Sequence, residues 1–190
     1  MLNEALRFLL NTVFGFVVYA SLLRFIMQWM RAPFRNPVGQ AVTALTDWAV
    51  KPLRRLLPGF GGYDWASLVF AWVGQLAWLL ALAALGGAAF SDAVLGYLAI
   101  LAIVELIKAA LWILIAAVLV QAILSWVAPD GPLAGVLNAL TFRVLAPVRR
   151  VVPPLGGSLD LSPLIVIVVA QLALILPIAW LEQSVAQIFH

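Results

Sequence analysis

Four apolar stretches, each long enough to cross a lipid bilayer as a helix, constrain this chain more than any other feature. A crossing takes roughly 20 residues of α-helix. The stretches are 8–30, 65–89, a segment within 97–127, and 161–181. Backbone groups in hydrocarbon must find hydrogen bonds internally, so runs of this length favour helices over barrel strands. The sequence therefore predicts an all-α membrane protein with four transmembrane helices.

Composition supports lipid as the main solvent of the chain. Mean hydropathy is +1.11, and only 10% of residues are charged, against about 25% in a typical soluble domain. There is no cysteine, and His190 is the single histidine. We therefore expect no thiol chemistry, no metal site and no cofactor. The net charge of +3 is interpreted as topology information rather than as a nucleic-acid interface.

Basic residues concentrate on one side of the predicted spans. The connectors 31–63 and 128–159, with the helix ends that face them, carry nine Lys or Arg against four Asp, whereas the other side carries two against four acids. The positive-inside rule then predicts that both connectors are cytoplasmic and that both termini lie on the other side of the membrane. A signal peptide is disfavoured for 8–30, because no small-residue cleavage site follows it.

The two halves of the chain repeat one another. The offset is 97 residues at Trp29, 95 through the connector and 96 from Asp64 onward. We predict two parallel-repeat helical hairpins, 1–90 and 91–190, related by a pseudo-two-fold axis along the membrane normal. Two similar loops without structural symmetry remain the alternative. The repeated connector residues are Pro52, Arg54, Arg55 and Pro58, matched by Pro147, Arg149, Arg150 and Pro153.

Each connector contains a segment with helical spacing of apolar residues, 37–57 in the first repeat and 133–151 in the second. Basic residues opposite a bulky apolar stripe are typical of a helix lying in the headgroup plane. We therefore predict a cytoplasmic amphipathic interfacial helix in each hairpin. Pro52 and Pro147 are expected to kink or end these helices, with the Arg-Arg pairs just beyond the break.

The basic residues of the connectors are candidate sites for lipid headgroups or other anions. Anionic lipids attract each nearby Lys or Arg by about 1 kcal/mol. The alternative is a topology anchor without a specific site. The candidates are Lys51, Arg54, Arg55, Arg149 and Arg150.

Arg24 lies near the hydrocarbon boundary, where a charge needs a partner or must snorkel to water. Asp64, which opens the next span on the same side, is one candidate partner. Asp160 is its counterpart in the second repeat. We expect Arg24 to bind Asp64, Asp160 or both, with simple snorkelling as the alternative.

Other polar residues fall inside the predicted spans. Glu105 and Lys108 are three residues apart, near the outer end of the third span, and are expected to neutralise one another. A proton or cation relay is the functional alternative. Gln75 and Gln171 recur at matching depth and are interpreted as hydrogen-bonding glue between helices.

These motifs resemble the YggT family of small membrane proteins. The resemblance covers the whole chain, although Trp48, Gln121 and Gly131-Pro132 depart from the family pattern. The first repeat supplies Arg24, Trp29, Asn36-Pro37, Thr46-Asp47, 52–58, Gly61-Gly62 and Asp64. The second supplies Trp126, Pro132, Thr141, 147–153, Gly156-Gly157, 160–163 and Gln171.

The resemblance implies no enzyme activity, and it links the chain to osmotic or ion-stress tolerance and to assembly of membrane complexes. We expect a non-enzymatic scaffold or assembly factor that contacts anionic lipids and forms homo-oligomers or binds a membrane-protein partner. An oligomeric channel or transporter subunit is the alternative. A lipid-processing enzyme is disfavoured, because no histidine or cysteine accompanies the scattered acids.

Overall fold

The computed structural model describes residues 2–127, 131, 133–153 and 160–188, and this part of the chain is almost entirely helical. Four segments are long and apolar enough to span a membrane: Asn3–Trp29, Trp65–Leu85, Asp92–Val127 and Ser162–Gln187. The all-α class is confirmed, and so is the presence of four helices long and apolar enough to span a membrane. Pro132, Gly156 and Gly157 lie outside the described residues. The helices are α1 Leu2–Trp29, α2 Pro37–Leu56, α3 Trp65–Leu85, α4 Asp92–Val127, α5 Ala134–Val151, α6 Ser162–Ala173 and α7 Ala179–Ile188.

The ends of the helices differ from the ends of the apolar stretches. α1 begins six residues before the predicted 8–30 span, because a helix continues past the residues that lie in hydrocarbon. α3 ends at Leu85 rather than at residue 89. Gly87 has φ +74° there, and the N–H groups of Gly87 and Ala88 donate to the carbonyls of Ala84 and Ala83, each at 3.0 Å. This is a glycine-terminated helix end, which a hydropathy profile does not detect.

Prolines lie inside three helical segments. α2 continues through Pro52 to Leu56, and α5 continues through Pro147 to Val151. The expectation that the Arg-Arg pairs lie beyond a break is therefore wrong: they occupy the last turn of each helix, where cations favour the helix dipole. Pro177 lies in a π-helical turn, Leu174–Ile178, between α6 and α7. The wider turn accommodates a residue that lacks an N–H and crowds the preceding carbonyl.

α1 and α4 occupy the centre of the bundle. α1 contacts α2, α3, α4 and α5, most extensively α3, while α4 contacts α1, α3, α5, α6 and α7. α2 contacts both α1 and α3, and α5 correspondingly contacts both α4 and α6. One buried cluster joins α1, α3 and α4, and it consists of Val18, Leu22, Ala71, Leu106 and Ala109.

The buried face of α2 differs from the bulky apolar stripe. Trp48 is 68% exposed and Leu56 is 79% exposed, although Trp48 stacks edge-on against Phe70 of α3. Short side chains and a hydroxyl face the bundle instead, because α2 packs closely on its neighbours. The Cα of Phe34 lies 2.7 Å from where a Cβ on Gly39 would be. The buried residues of α2 are Gly39, Val42, Thr46 and Val50.

A tight turn connects α2 to α3. Gly61 and Gly62 have φ of +68° and +83°, and the N–H of Tyr63 donates to the carbonyl of Phe60 at 3.3 Å. Two successive positive φ values strain any residue with a side chain. The glycine pair therefore fixes how closely the end of α2 approaches the start of α3.

Candidate functional site

Arg24 is a buried cation of α1, with only 3% of its surface exposed. Its Nη1 donates to Thr46 Oγ1 at 2.7 Å and to Asp47 Oδ1 at 2.8 Å. Its Nε lies 3.6 Å from Asp64 Oδ2. Arg24 therefore connects α1 to α2 and to the start of α3.

Asp64 receives further donors from both sides. Arg54 Nε donates to its Oδ1 at 3.1 Å, and Arg54 Nη2 donates to its Oδ2 at 2.5 Å. The Ser67 hydroxyl donates to Oδ2 at 2.5 Å. Lys51 Nζ lies 2.8 Å from Asp47 Oδ2. We call this set the Arg24 network, and it consists of Arg24, Thr46, Asp47, Lys51, Arg54, Asp64 and Ser67.

The second repeat has a reduced version of this network. Arg149 Nε and Nη2 each lie 2.9 Å from Asp160 Oδ2, and the Ser162 N–H donates to Asp160 Oδ1 at 2.9 Å. The Thr141 hydroxyl donates to Gln121 Oε1. The ion pairs that the structure gives Arg24 are with Asp47 and Asp64, while Asp160 pairs with Arg149.

Four of the seven positions of the Arg24 network differ between the repeats, among them Lys51, matched by Ala146, and Ser67, matched by Pro163. At the repeat offsets, Gln121 stands in place of Arg24 and Phe142 in place of Asp47. The buried threonine, the arginine of the last helical turn and the aspartate before the next span are retained. The charges of Arg24, Asp47 and Lys51 are thus absent together, as expected if Asp47 is present to pair with the two cations.

A second charged cluster lies among the membrane-spanning helices. Lys108 Nζ lies 3.0 Å from Glu105 Oε1 and 2.6 Å from Glu182 Oε1. Glu105 is 13 residues into α4, about 20 Å along the helix at 1.5 Å per residue, so it is farther from the helix end than expected. We call Glu105, Lys108 and Glu182 the Lys108 triad.

A small polar cavity of about 190 Å³ adjoins the Lys108 triad. Side chains of α1, α3 and α4 line it, among them Asn11, Tyr19, Gln75, Glu105 and Lys108. Gln75 therefore faces the charged cluster. Gln171 is half-buried in α6. Helix-to-helix hydrogen bonding by the two glutamines stays a prediction.

The candidate headgroup residues lie in or near the last turns of α2 and α5. Lys51, Arg54, Arg55 and Arg150 are exposed, and Arg149 is half-buried. Arg54 and Arg149 are engaged with aspartates, whereas Arg55 and Arg150 make no ion pair with another described residue. Within 2–127, 131, 133–153 and 160–188, no three His, Cys, Asp or Glu residues come together as a metal site.

The aspartates of both networks are held in their charged form. The hydrogen bond from Lys51 and the contacts with Arg24 lower the pKa of Asp47, against the opposing effect of burial. Burial acts to raise the pKa of Asp64, but hydrogen bonds from Arg54 and Ser67 and the nearby guanidiniums leave it lowered. Burial also acts to raise the pKa of Asp160, but hydrogen bonds from Ser162 and Arg149 outweigh this effect and leave the pKa lowered.

Stability is expected to fall in acid. A folded-state pKa below the ordinary value of 3.8 means that the unfolded chain takes up protons first as the pH decreases. The stabilisation is complete at neutral pH and is lost progressively below about pH 5. Thermal unfolding in detergent between pH 7 and pH 3 measures this loss. Asp64→Asn should flatten the profile, and a profile as steep as that of the unchanged protein would contradict the assignment.

Several residues of these clusters escape sequence reasoning. The i,i+4 spacing in the sequence identifies Asp47 as a partner of Lys51. Its contact with Arg24 depends on which face of α2 packs inward, which the spacing does not give. Glu182 is 74 residues from Lys108, and no local spacing connects them. The Thr46–Thr141 repeat was a usable signal, because a hydroxyl kept at one position in both copies suggests a shared partner.

Comparison with known proteins identifies relatives over nearly the whole chain. A family model described as CCB3/YggT matches residues 3–85 and 100–181. An uncharacterized protein of Vibrio alginolyticus is 36% identical over 174 residues, which is 90% of this chain and 91% of the relative. An uncharacterized protein of Pseudomonas aeruginosa is 38% identical over 86% of this chain and 83% of its own length. Escherichia coli K12 YggT, also uncharacterized, is 36% identical over 86% and 84%. No solved structure matches.

Proposed function

The chain belongs to the CCB3/YggT family of membrane proteins, and we propose that it is a non-enzymatic scaffold that binds anionic lipids and organises partners at the membrane surface. The observation that carries the proposal is the outward surface of α2 and α5. Basic side chains at the ends of both helices alternate there with bulky apolar ones. Such a surface suits the boundary between headgroups and acyl chains.

The outward residues of α2 and α5 correspond between the repeats. Arg55 and Arg150 occupy equivalent positions, each beside an exposed apolar residue, Leu56 and Val151. The apolar side chain can enter the acyl region while the guanidinium binds a phosphate. Each such cation contributes about 1 kcal/mol on an anionic surface. Two sites on one molecule would hold anionic lipid beside it.

The proposal includes an orientation. Each half of the chain forms a helical hairpin whose connecting helix, α2 or α5, lies at the cytoplasmic surface of a bacterial inner membrane, with both termini periplasmic. The excess of basic residues in the two connectors supports this arrangement. Two such hairpins require α2 to contact α1 and α3, and α5 to contact α4 and α6. These contacts are present.

The charged clusters support a structural role over catalysis. Within the part of the chain that the structure describes, Arg24 and Asp64 pair with each other and with close neighbours, and Lys108 pairs with Glu105 and Glu182. The link to cell-envelope or osmotic homeostasis rests on the family resemblance. In this interpretation the networks hold the helices in place while the exposed faces bind lipid and partners.

The Lys108 triad favours a second candidate, an oligomeric channel or transporter subunit. The triad adjoins a polar cavity of about 190 Å³ between the spanning helices, and ionisable groups at membrane depth mark ion pathways in many transporters. Four spans are few for a pore within one chain, so this function needs several copies.

One set of reconstitutions tests both candidates. Native mass spectrometry from nanodiscs of equal phosphatidylglycerol and phosphatidylcholine reports bound lipids and oligomeric state. We expect phosphatidylglycerol to be enriched on the unchanged protein and about fivefold less so on Arg55→Gln/Arg150→Gln, as loss of about 1 kcal/mol implies. Equal binding by both proteins would contradict the scaffold. Ion flux from vesicles that Glu105→Gln abolishes would favour the channel.

A further inference from the structure

A cavity of about 540 Å³ opens beside the reduced network of the second repeat. Gln121, Arg149 and Asp160 form its polar wall, and Ile123, Leu164 and Ile167 contribute to its apolar wall. The residues at the same repeat positions in the first repeat include Arg24, Arg54 and Asp64. The cavity therefore lies where the first repeat holds the side chain of Arg24.

The difference between the repeats indicates what is missing from the cavity. Asp64 has two guanidiniums within 3.6 Å and its side chain is 2% exposed. Among the described residues, Arg149 supplies the one guanidinium at Asp160, whose side chain is 28% exposed. Ionisable groups near hydrocarbon pair with opposite charges, and Asp64 does so with two guanidiniums. The position that Arg24 would fill is therefore complementary to a cationic group supplied from outside the chain.

The same wall can also bind an anion. Arg149 directs Nε and Nη2 to Asp160, and a guanidinium carries five N–H donors. Within the described residues, its Nη1 hydrogens are left for another acceptor, and the side chain is 37% exposed. A phosphate on Arg149 and an ammonium on Asp160 would both be satisfied.

The apolar wall indicates that the occupant has a hydrocarbon part. Leu164 is 60% exposed and Ile123 is 53% exposed, so the cavity opens along the lipid-facing surface of α4 and α6. A charged peptide side chain would contact only the polar wall of the cavity and would leave the apolar wall uncovered. An amphipathic molecule whose charged end reaches Arg149 and Asp160 matches both.

We propose that this cavity is a binding site for a zwitterionic aminophospholipid, phosphatidylethanolamine. Its phosphate binds Arg149, its ammonium takes the place of Arg24 at Asp160, and one acyl chain lies against Leu164 and Ile167. Two carbons separate the phosphate from the ammonium, which suits the adjacent opposite charges of the wall. The site is distinct from the proposed anionic-lipid surface, since Arg55 and Arg150 do not line it.

The test uses the full-length Arg55→Gln/Arg150→Gln protein, which lacks the proposed anionic-lipid surface but keeps every residue of the cavity. It is titrated in mild detergent with phosphatidylethanolamine, phosphatidylglycerol or soluble phosphoethanolamine and followed by native mass spectrometry. We expect one phosphatidylethanolamine to bind at least about tenfold more tightly than either other probe, since both lack one of the matched groups. Gln121→Arg, which introduces the first-repeat residue, should weaken that binding about tenfold by filling the site. Arg143→Gln, an exposed arginine of α5 that does not line the cavity, is the matched control and should leave it unchanged.

The outcomes separate the sources of the ligand. Equal affinity for phosphatidylglycerol would overturn the role of the ammonium, and equal affinity for phosphoethanolamine would overturn the role of the acyl chain. Leu164→Trp, which narrows only the apolar wall, gives an independent variant if Gln121→Arg does not fold. Phosphatidylethanolamine binding that neither variant weakens would place the lipid elsewhere. Loss of phosphatidylglycerol binding in Arg55→Gln/Arg150→Gln tests the scaffold separately.

Discussion

Replacing Arg24 with Gln is expected to lower the free energy of unfolding by about 3–5 kcal/mol, the usual effect of removing one partner of a buried charge pair. Arg24 is the only described residue that contacts Thr46, Asp47 and Asp64 together. Without it, Asp64 keeps Arg54 and Ser67, but the polar contacts that join α1 to Thr46, Asp47 and Asp64 are lost. Thermal or denaturant unfolding in lipid nanodiscs measures the change.

A double-mutant cycle identifies the partner of Arg24. The double variant Arg24→Gln/Asp64→Asn should lose less free energy of unfolding than the sum of the two single variants, because each substitution removes the same contact at 3.6 Å. Asp160→Asn is the matched control, since Asp160 binds Arg149, and its loss should add to that of Arg24→Gln. If the losses from Arg24→Gln and Asp64→Asn add strictly, the ion pair between these two residues does not contribute to stability.

The number and type of the long helices could be predicted from the sequence, because hydrocarbon selects for apolar helices of a fixed minimum length. The exact ends could not. Hydropathy does not register the left-handed conformation of Gly87, so the end of α3 was placed four residues late. It also does not register that α1 is helical from Leu2, outside the apolar stretch.

The charged clusters were predictable only in part. Arg24 is identified by the cost of a charge in an apolar segment, and Asp64 by its position on the same side. The contacts of Asp47 and Glu182 depend on tertiary packing. Asp47 binds Arg24 because α1 contacts that face of α2, and Glu182 binds Lys108 because α7 packs on α4 beyond the π-helical turn. A periodicity argument works within one element and gives no partner from another.

The internal repeat carried information that neither copy carried alone. The copies agree at Thr46 and Thr141, which points to a conserved local hydrogen bond. They differ at Gln121 and Phe142, which stand at the repeat positions of the Arg24–Asp47 ion pair. Retained and exchanged positions together distinguish contacts that the fold needs from contacts that only one half uses.

The Lys108 triad gives the second large effect. Lys108→Met should lower the free energy of unfolding by about 2–4 kcal/mol, because it leaves Glu105 and Glu182 as uncompensated carboxylates among the spanning helices. The measurement is again unfolding in lipid nanodiscs. Glu105→Gln alone should cost less, since Lys108 keeps its 2.6 Å contact with Glu182.

The neutral triple variant tests whether charge balance is the cause. Lys108→Met combined with Glu105→Gln and Glu182→Gln removes every charge of the triad at nearly constant volume. If the stranded carboxylates cause the loss, this variant should be more stable than Lys108→Met alone, although it carries two more substitutions. A triple variant that is less stable than the single one would mean that groups other than Lys108 stabilise the carboxylates of Glu105 and Glu182. Ion flux from vesicles that contain the unchanged protein, Lys108→Met or the triple variant then separates the two proposed functions. A scaffold tolerates a neutral triad that folds, whereas an ion pathway through Glu105 does not.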